Sequence, residues 1–307
     1  MRLATIQWKG SEVAGIVTGG GVLPLAALNA RTGATWNTDL LALIRAGQLP
    51  PLTAWYNGGG KAAIASLPEL VPADRVVYAP LYRNPRRIFG IGLNYADHAG
   101  DIGAPAPTGF PGSFFKLADT LIGHGDAIRL PALPEAQRTT AEAELGIILG
   151  KDCRDVAEAD WESAIAGYTT VLDMTEDSIL KGNDYVAGNP RYLTIVKNFP
   201  TFFSFGPQLV TPDEVPDVLK LEVQSVVNGA VYAQNTVSSM THRPARLISL
   251  HSSIFGWFAG DVLSTGTPRA FPVAGGDIAE CRITGPNGFS MEPLINPVVD
   301  PRRQPEK

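Results

Sequence analysis

Residues 141–151 read AEAELGIILGK and residues 165–175 read IAGYTTVLDMT. Each contains a short apolar run, 144–149 and 168–172, of the length expected for a buried strand rather than a helix. Working outward, similar runs recur at 88–93, 113–117, 219–227, 231–234 and 278–283, separated by turns drawn from 32 Gly and 25 Pro. Asn228-Gly229 joins two of them and is a hairpin signal, because both residues tolerate the positive φ of a type I′ turn. Two helices interrupt this part of the chain. One spans 160–165, with Trp161 and Ile165 on one face, and the other spans 243–258, with Pro244 in its first turn. Many strands and few helices predict a mixed, β-rich α+β fold with a barrel-like or sandwich-like core, not a doubly wound sheet.

Before residue 80 the pattern is less sharply specified. Strand-like content at 3–8 and 13–17 precedes helix starts at 39–44 and 62–67. This predicts a small α/β domain over 1–80 ahead of a larger catalytic domain over 81–307. The YNGGGK stretch lacks the phosphate-loop spacing, since Trp55 stands where the first Gly is needed and Ala62 follows Lys61. It predicts a flexible surface loop.

With 307 residues and 45% hydrophobic composition, the chain can bury a large core without disulfide staples. Its two cysteines, Cys153 and Cys281, therefore predict a reducing cytoplasm, and neither sits in a motif that would activate a thiolate. No secretory signal is read in MRLATIQWKG, and no apolar run approaches the roughly 18 residues of a membrane span. A formal charge of -5 with unclustered Lys and Arg argues against a nucleic-acid partner. It also means that an anionic substrate needs a locally positive site or a bound cation.

Glu142 and Glu144 stand just before and inside the first strand at spacing i, i+2, which directs both carboxylates to one side. Like charges at that separation raise each other's pKa unless a cation neutralises them. Asp173 closes the second apolar run and offers a third oxygen. Three carboxylates without thiolate or obligatory imidazole suit Mg²⁺ or Mn²⁺ better than zinc. The alternative is a polar edge-strand face for the glutamates and an N-cap for Asp173.

His98 closes GIGLNYADH, and Asp101 three residues later is placed to orient its imidazole toward activating water. The same pair also reads as a helix-start hydrogen bond. His124 and His242 read as surface residues or anion contacts, and His251, within ISLHSSIFGWF, reads as structural. Lys116 and Lys197 each follow an apolar run; beside a carboxylate-held metal, either would serve a substrate carboxylate or an enolate. In GDVLSTGTP, the backbone N–H of Gly266 and the hydroxyl of Thr267 are candidates for an anionic ligand end, or parts of a structural turn. No Gly-x-Ser-x-Gly element is present.

Taken in order, GIGLNYADHAG, FFKLADTLIGHG, AEAELGIILGK, IAGYTTVLDMT, FFSFGPQLVT, the hairpin VVNG, GDVLSTGTP and PLINPV make the chain resemble the fumarylacetoacetate hydrolase family over residues 88–298. The similarity is to its acylpyruvate hydrolase and 2-hydroxyhepta-2,4-diene-1,7-dioate isomerase branch. The resemblance implies a fumarylacetoacetase-like β-roll, a homodimer, and Glu142, Glu144 and Asp173 as ligands of Mg²⁺ or Mn²⁺. It further implies that His98 and Asp101 activate water, that Lys197 lies on the substrate side, that Thr267 lies where relatives hold the ligand's carboxylate, and that Lys116 is a recurrent lysine. Three departures stand out. Asp101 replaces a longer glutamate, Asp177 occupies an arginine position in LDMTEDSILKGNDY, and Pro200 in KNFP replaces an aspartate.

The expected activity is hydrolysis of a C–C bond in an acylpyruvate or related 2,4-diketo acid. Decarboxylation of an oxaloacetate-like diacid and tautomerisation of a 2-hydroxy-diene-dioate share its charge-stabilising step, and a non-catalytic ligand-binding relative is the remaining class.

Overall fold

The protein was analysed as a computed structural model that describes residues 1–64, 67–96, 98, 108–180 and 192–302. Asp101 lies outside the described residues, as does most of the divergent segment that follows Leu180. The fold is mixed and strand-rich, a fumarylacetoacetase-like α+β architecture.

Its centre is a pair of long antiparallel strands, Thr139–Leu149 and Ile165–Glu176. Both extend well beyond the expected 144–149 and 168–172, so Glu142 and Asp173 lie within strands rather than at their ends. Every residue of both strands is buried, which is why they read as apolar runs instead of an alternating pattern. On the first strand, Ala141, Ala143, Leu145, Ile147 and Leu149 enter one hydrophobic core. The opposite face carries Glu142, Glu144, Gly146 and Ile148.

Around this pair the sheet continues in both directions. On one side come Val262–Ser264, Ile88–Gly92 and Gly112–Lys116. On the other, Gln208–Val210 leads to Arg2–Trp8, Ser11–Thr18 and Gly21–Pro24. The amino-terminal strands are thus hydrogen-bonded into the same sheet, Leu3 standing opposite Leu209. A five-stranded second sheet, including Glu222–Val227, Ala230–Thr236, Ile278–Thr284 and Leu294–Val299, closes over the first core. Asn228 and Gly229 turn its hairpin with φ of 51° and 79°, as the sequence predicts.

Three local expectations need correction. The YNGGGK stretch is a surface turn only in part. It kinks between the helices Leu49–Trp55 and Lys61–Ile64, with exposed Gly59 at a non-helical φ of 125°, while Tyr56 is buried and Gly60 lies against the Trp55 ring. The segment expected at 160–165 is a 3₁₀ helix, Glu158–Ala164, and Ile165 already begins a strand. The helix expected over 243–258 is Pro244–Ile254. It stops because Gly256 turns at φ 68° and Trp257 exchanges backbone hydrogen bonds with Cys153. Asp39 caps the helix Leu40–Arg45 by accepting from Ala42 N at 2.7 Å.

Gly167 sits where the register of the central pair shifts, and a Cβ there would lie 2.2 Å from Val210 O. Because the obstacle is backbone, Gly167→Ala is expected to lower the unfolding free energy by about 2–4 kcal/mol. Urea unfolding checks this; an unchanged midpoint would mean that the neighbouring strand yields freely.

Candidate metal centre

Strand register assembles the acidic cluster. Asp173 stands directly opposite Glu142, and Glu144 lies two residues on, opposite Val171. One carboxylate oxygen from each residue lies within 4.8 Å of the other two, and all three side chains are buried. The sequence spacing that sends Glu142 and Glu144 to one side is therefore matched by a cross-strand partner that spacing alone cannot locate.

Each carboxylate has a distinct set of partners. Glu142 accepts from Thr175 Oγ1 at 2.5 Å and from Lys197 Nζ at 2.9 Å. Asp173 accepts from Lys197 Nζ at 3.0 Å and, through its other oxygen, from Lys116 Nζ, which also donates to Met174 O at 3.1 Å. Glu144 Oε2 accepts from Ser264 Oγ at 2.5 Å and from the Gly266 N–H at 2.7 Å, while Glu144 Oε1 is buried without a hydrogen-bond partner. Lys116 ends the edge strand Gly112–Lys116, and Lys197 follows the short helix Leu193–Val196. The Phe114 ring lies 4.5 Å from the Lys197 ammonium.

These unequal surroundings separate the titrations. Burial pushes Glu144 up, and the charges of Asp173 and Glu142 add to it, giving about 8. Burial acts the same way on Glu142, but Lys197 and then His98 outweigh it and hold that carboxyl below its ordinary range. Burial lowers Lys116 to about 8, only partly opposed by Asp173. For Lys197 burial is overcome by Asp173, Glu142 and Glu144, so its ammonium is held above the usual lysine value. Mutual repulsion, expected where no cation neutralises the pair, is thus left on Glu144 and relieved at Glu142, the one that the ammonium reaches.

The donor set fits a hard divalent cation. Three buried carboxylates face two ammonium groups, one carboxylate oxygen has no donor, and all candidate ligand atoms are oxygen. Mg²⁺ or Mn²⁺ held by Glu142, Glu144 and Asp173 would supply both the missing charge and the missing partner.

The remaining site residues are distributed around this cluster. His98 is buried, with its charge acting on Glu142. Gly266 uses its N–H on Glu144, and Thr267 donates to Arg269 O at 3.2 Å. The loops carrying them are locked by Asn94, whose side-chain amide donates to His242 O and Thr265 O and accepts from His242 N. Gly266 is required there, since a Cβ would meet Asn94 Cβ at 2.7 Å. Asp177, at the divergent position, pairs with Arg138 at 2.8 Å. Thr175 and Ser264 were not singled out by sequence reasoning. Their signals were nevertheless present: Thr175 shares a strand face with Asp173, and Ser264 is two residues before Gly266.

The other candidates are structural. His251 Nδ1 contacts Leu247 O at 2.8 Å, and its ring stacks on Phe255. His124 is half-buried, with Nδ1 at 3.1 Å from Pro293 O. Burial pushes the Cys281 thiol up to about 12, and Cys153 is also raised by burial. Neither has the low-pKa environment of a nucleophile.

A family model described as fumarylacetoacetate hydrolase, C-terminal, matches residues 87–299. An uncharacterized protein of Archaeoglobus fulgidus is 36% identical over 214 residues, covering 69% of this chain and 80% of that protein. A protein of Burkholderia lata is 38% identical over 184 residues, but the match spans only 59% of this chain and 61% of that relative's length. Among solved structures, maleylpyruvate hydrolase from Sphingobium sp. SYK-6, in complex with manganese(II) and pyruvate, superposes with a TM-score of 0.73 at 28% identity, covering 98% of this chain and 99% of that one.

The Glu144 environment has a measurable consequence. In the metal-free protein its carboxyl titrates near 8, against an ordinary 4.5. Between those values the folded state retains a proton that the unfolded chain has lost, so stability from this group falls as pH rises through the window. Urea unfolding of metal-free protein across that range should show the fall, and Glu144→Gln should flatten it. Equal slopes would remove Glu144 as the cause.

Proposed function

This chain belongs to the fumarylacetoacetate hydrolase family, and we propose that it is a divalent-metal-dependent hydrolase cleaving a C–C bond in an acylpyruvate or related 2,4-diketo acid. The observation that carries the reading is the buried convergence of Glu142, Glu144 and Asp173 with one acceptor oxygen unmatched. The manganese and pyruvate held by the maleylpyruvate hydrolase relative support it, because pyruvate is the fragment that acylpyruvate cleavage leaves.

When bound by the three carboxylates, Mg²⁺ or Mn²⁺ supplies Lewis-acid stabilisation of negative charge on the substrate's 2-oxo oxygen. The chain's own groups account for the rest. Lys197 and Lys116 place two ammonium groups beside the same carboxylates, which suits a substrate carboxylate and a developing enolate. His98, assisted in our reading by Asp101, takes a proton from water as the water oxygen attacks the distal carbonyl. The C–C bond to the methylene then breaks, its electron pair passes into a pyruvate enolate, and a proton returned to carbon gives a carboxylic acid and pyruvate. Thr267 and Gly266 form the turn against which the substrate's anionic end rests.

We further read residues 1–80 as a small domain ahead of the catalytic domain 81–307, and the protein as a cytoplasmic homodimer acting on a small carboxylic acid. The family resemblance supports the dimer, and no helix among the described residues is long and apolar enough to cross a membrane. Decarboxylation of an oxaloacetate-like diacid or tautomerisation of a 2-hydroxy-diene-dioate would use the same charged cluster without water attack.

A panel of β-keto and β-diketo acids, assayed with Mg²⁺ or Mn²⁺ for cleavage, CO₂ release and tautomerisation separately, tests the assignment. Glu144→Ala should abolish metal-dependent turnover while keeping the far-ultraviolet circular dichroism; retained turnover would reject the ligand set. His98→Ala should lower hydrolysis about 10²- to 10⁴-fold. Equal loss of all activities in that variant would instead make His98 a group that shapes the site.

A further inference from the structure

A cavity rimmed by cationic side chains lies away from the acidic cluster. It has a volume of about 540 Å³ and is lined by Arg45, Arg86, Lys151 and Asp152 together with Phe258, Ala259 and neighbouring backbone. Four parts of the chain meet there: the end of the amino-terminal helix Leu40–Arg45, the segment leading into the strand Ile88–Gly92, the turn following Thr139–Leu149, and Phe258 and Ala259 beyond the helix Pro244–Ile254. The lining side chains carry three positive charges and one negative, a net of +2, on a chain whose total is -5. The rest of the molecule therefore sums to -7, and this concavity is a local reversal of sign.

The cations are not consumed by internal partners. None of the ion pairs among the described residues includes Arg45, Arg86 or Lys151. Lys151 reaches only the Ser163 hydroxyl, at 3.5 Å. The one acid of the lining, Asp152, is turned to a structural task, its Oδ1 accepting from Ala259 N at 2.9 Å; behind the lining, buried Asp261 accepts from Phe258 N at 3.0 Å and pairs with Arg87 at 3.8 Å. The Arg86 guanidinium lies over the Phe258 ring at 3.4 Å from its centroid, and Arg87 also reaches that ring at 4.8 Å. Stacking fixes the plane of the Arg86 fork while leaving its N–H edges for an acceptor, which reduces the ordering cost of binding.

We propose that this cavity is a binding site for a compact, multiply charged oxyanion, a phosphate group or a small polycarboxylate, held by Arg45, Arg86 and Lys151. Such a ligand satisfies several charge-assisted hydrogen bonds at once, whereas a monovalent anion meets only one cation well. It would also bridge the amino-terminal helix to the end of the strand that carries Glu142 and Glu144. The site is independent of the reaction assigned above, since it shares no residue with the acidic cluster.

The test titrates inorganic phosphate, and separately tricarballylate, into the full-length chain by calorimetry at constant ionic strength. Chelator is present so that neither anion meets a metal. Saturable binding of at least one anion is expected, with a rise in thermal midpoint that sodium chloride does not reproduce. The two arms tell phosphate from polycarboxylate recognition. Arg86→Ser with Lys151→Ser, and Arg45→Ser alone, should each weaken the binding at least about tenfold. All three side chains are exposed, so these variants should fold, and unchanged circular dichroism verifies that. Absence of saturable binding by both anions, or affinity unaltered in the variants, would overturn the proposal.

Discussion

The structure depends on the pairing of Asp173 with Glu142 across two fully buried strands. Placing carboxylates side by side in the middle of a sheet is unfavourable, because burial removes water and proximity adds repulsion. The fold answers with two ammonium groups that converge from different elements. Lys116 arrives on an edge strand and Lys197 from a short helix, and both reach Asp173. The flanking elements are thus fixed by charge neutralisation at the centre as well as by hydrophobic packing. The opposite face of the same strands needs no such compensation, since Leu145, Ile147 and Leu172 there enter an apolar core.

Neutralisation remains incomplete, and its incompleteness is localised. Glu142 and Asp173 receive the lysines, whereas Glu144 receives a hydroxyl and a backbone N–H on one oxygen and nothing on the other. Burial penalises its charge, the field of two neighbouring carboxylates adds to that, and neutral donors do not offset the sum, so Glu144 carries a raised pKa. Stability alone would favour an amide or an apolar residue at this position. A carboxylate kept there at a cost is the kind of local inconsistency expected where function sets the residue.

Much of this was legible in the sequence because it follows from local rules. The i, i+2 spacing of Glu142 and Glu144 fixes a shared face, Asn228-Gly229 fixes a hairpin, and Asp39 marks a helix start. What escaped was non-local. Strand register decides that Asp173 meets Glu142, and nothing in either segment encodes the offset by itself. The glycine-rich YNGGGK stretch was misread because glycine signals permissiveness, while the burial of Tyr56 and the closeness of Gly60 to Trp55 come only from tertiary packing. Thr175 and Ser264 were passed over because a hydroxyl acquires meaning only once its carboxylate partner is placed.

The same distinction bears on where reaction specificity resides. Under the proposed function, three carboxylates and two lysines would stabilise negative charge on a bound 2-oxo acid without deciding which of its bonds breaks. On the same reading the base that water attack requires is His98, four residues after Asn94, whose side chain ties its segment to the Thr265 loop. The loop is in turn fixed to Glu144 through Gly266. The Asn94 contacts therefore link the segment that precedes His98 to a loop that itself holds Glu144.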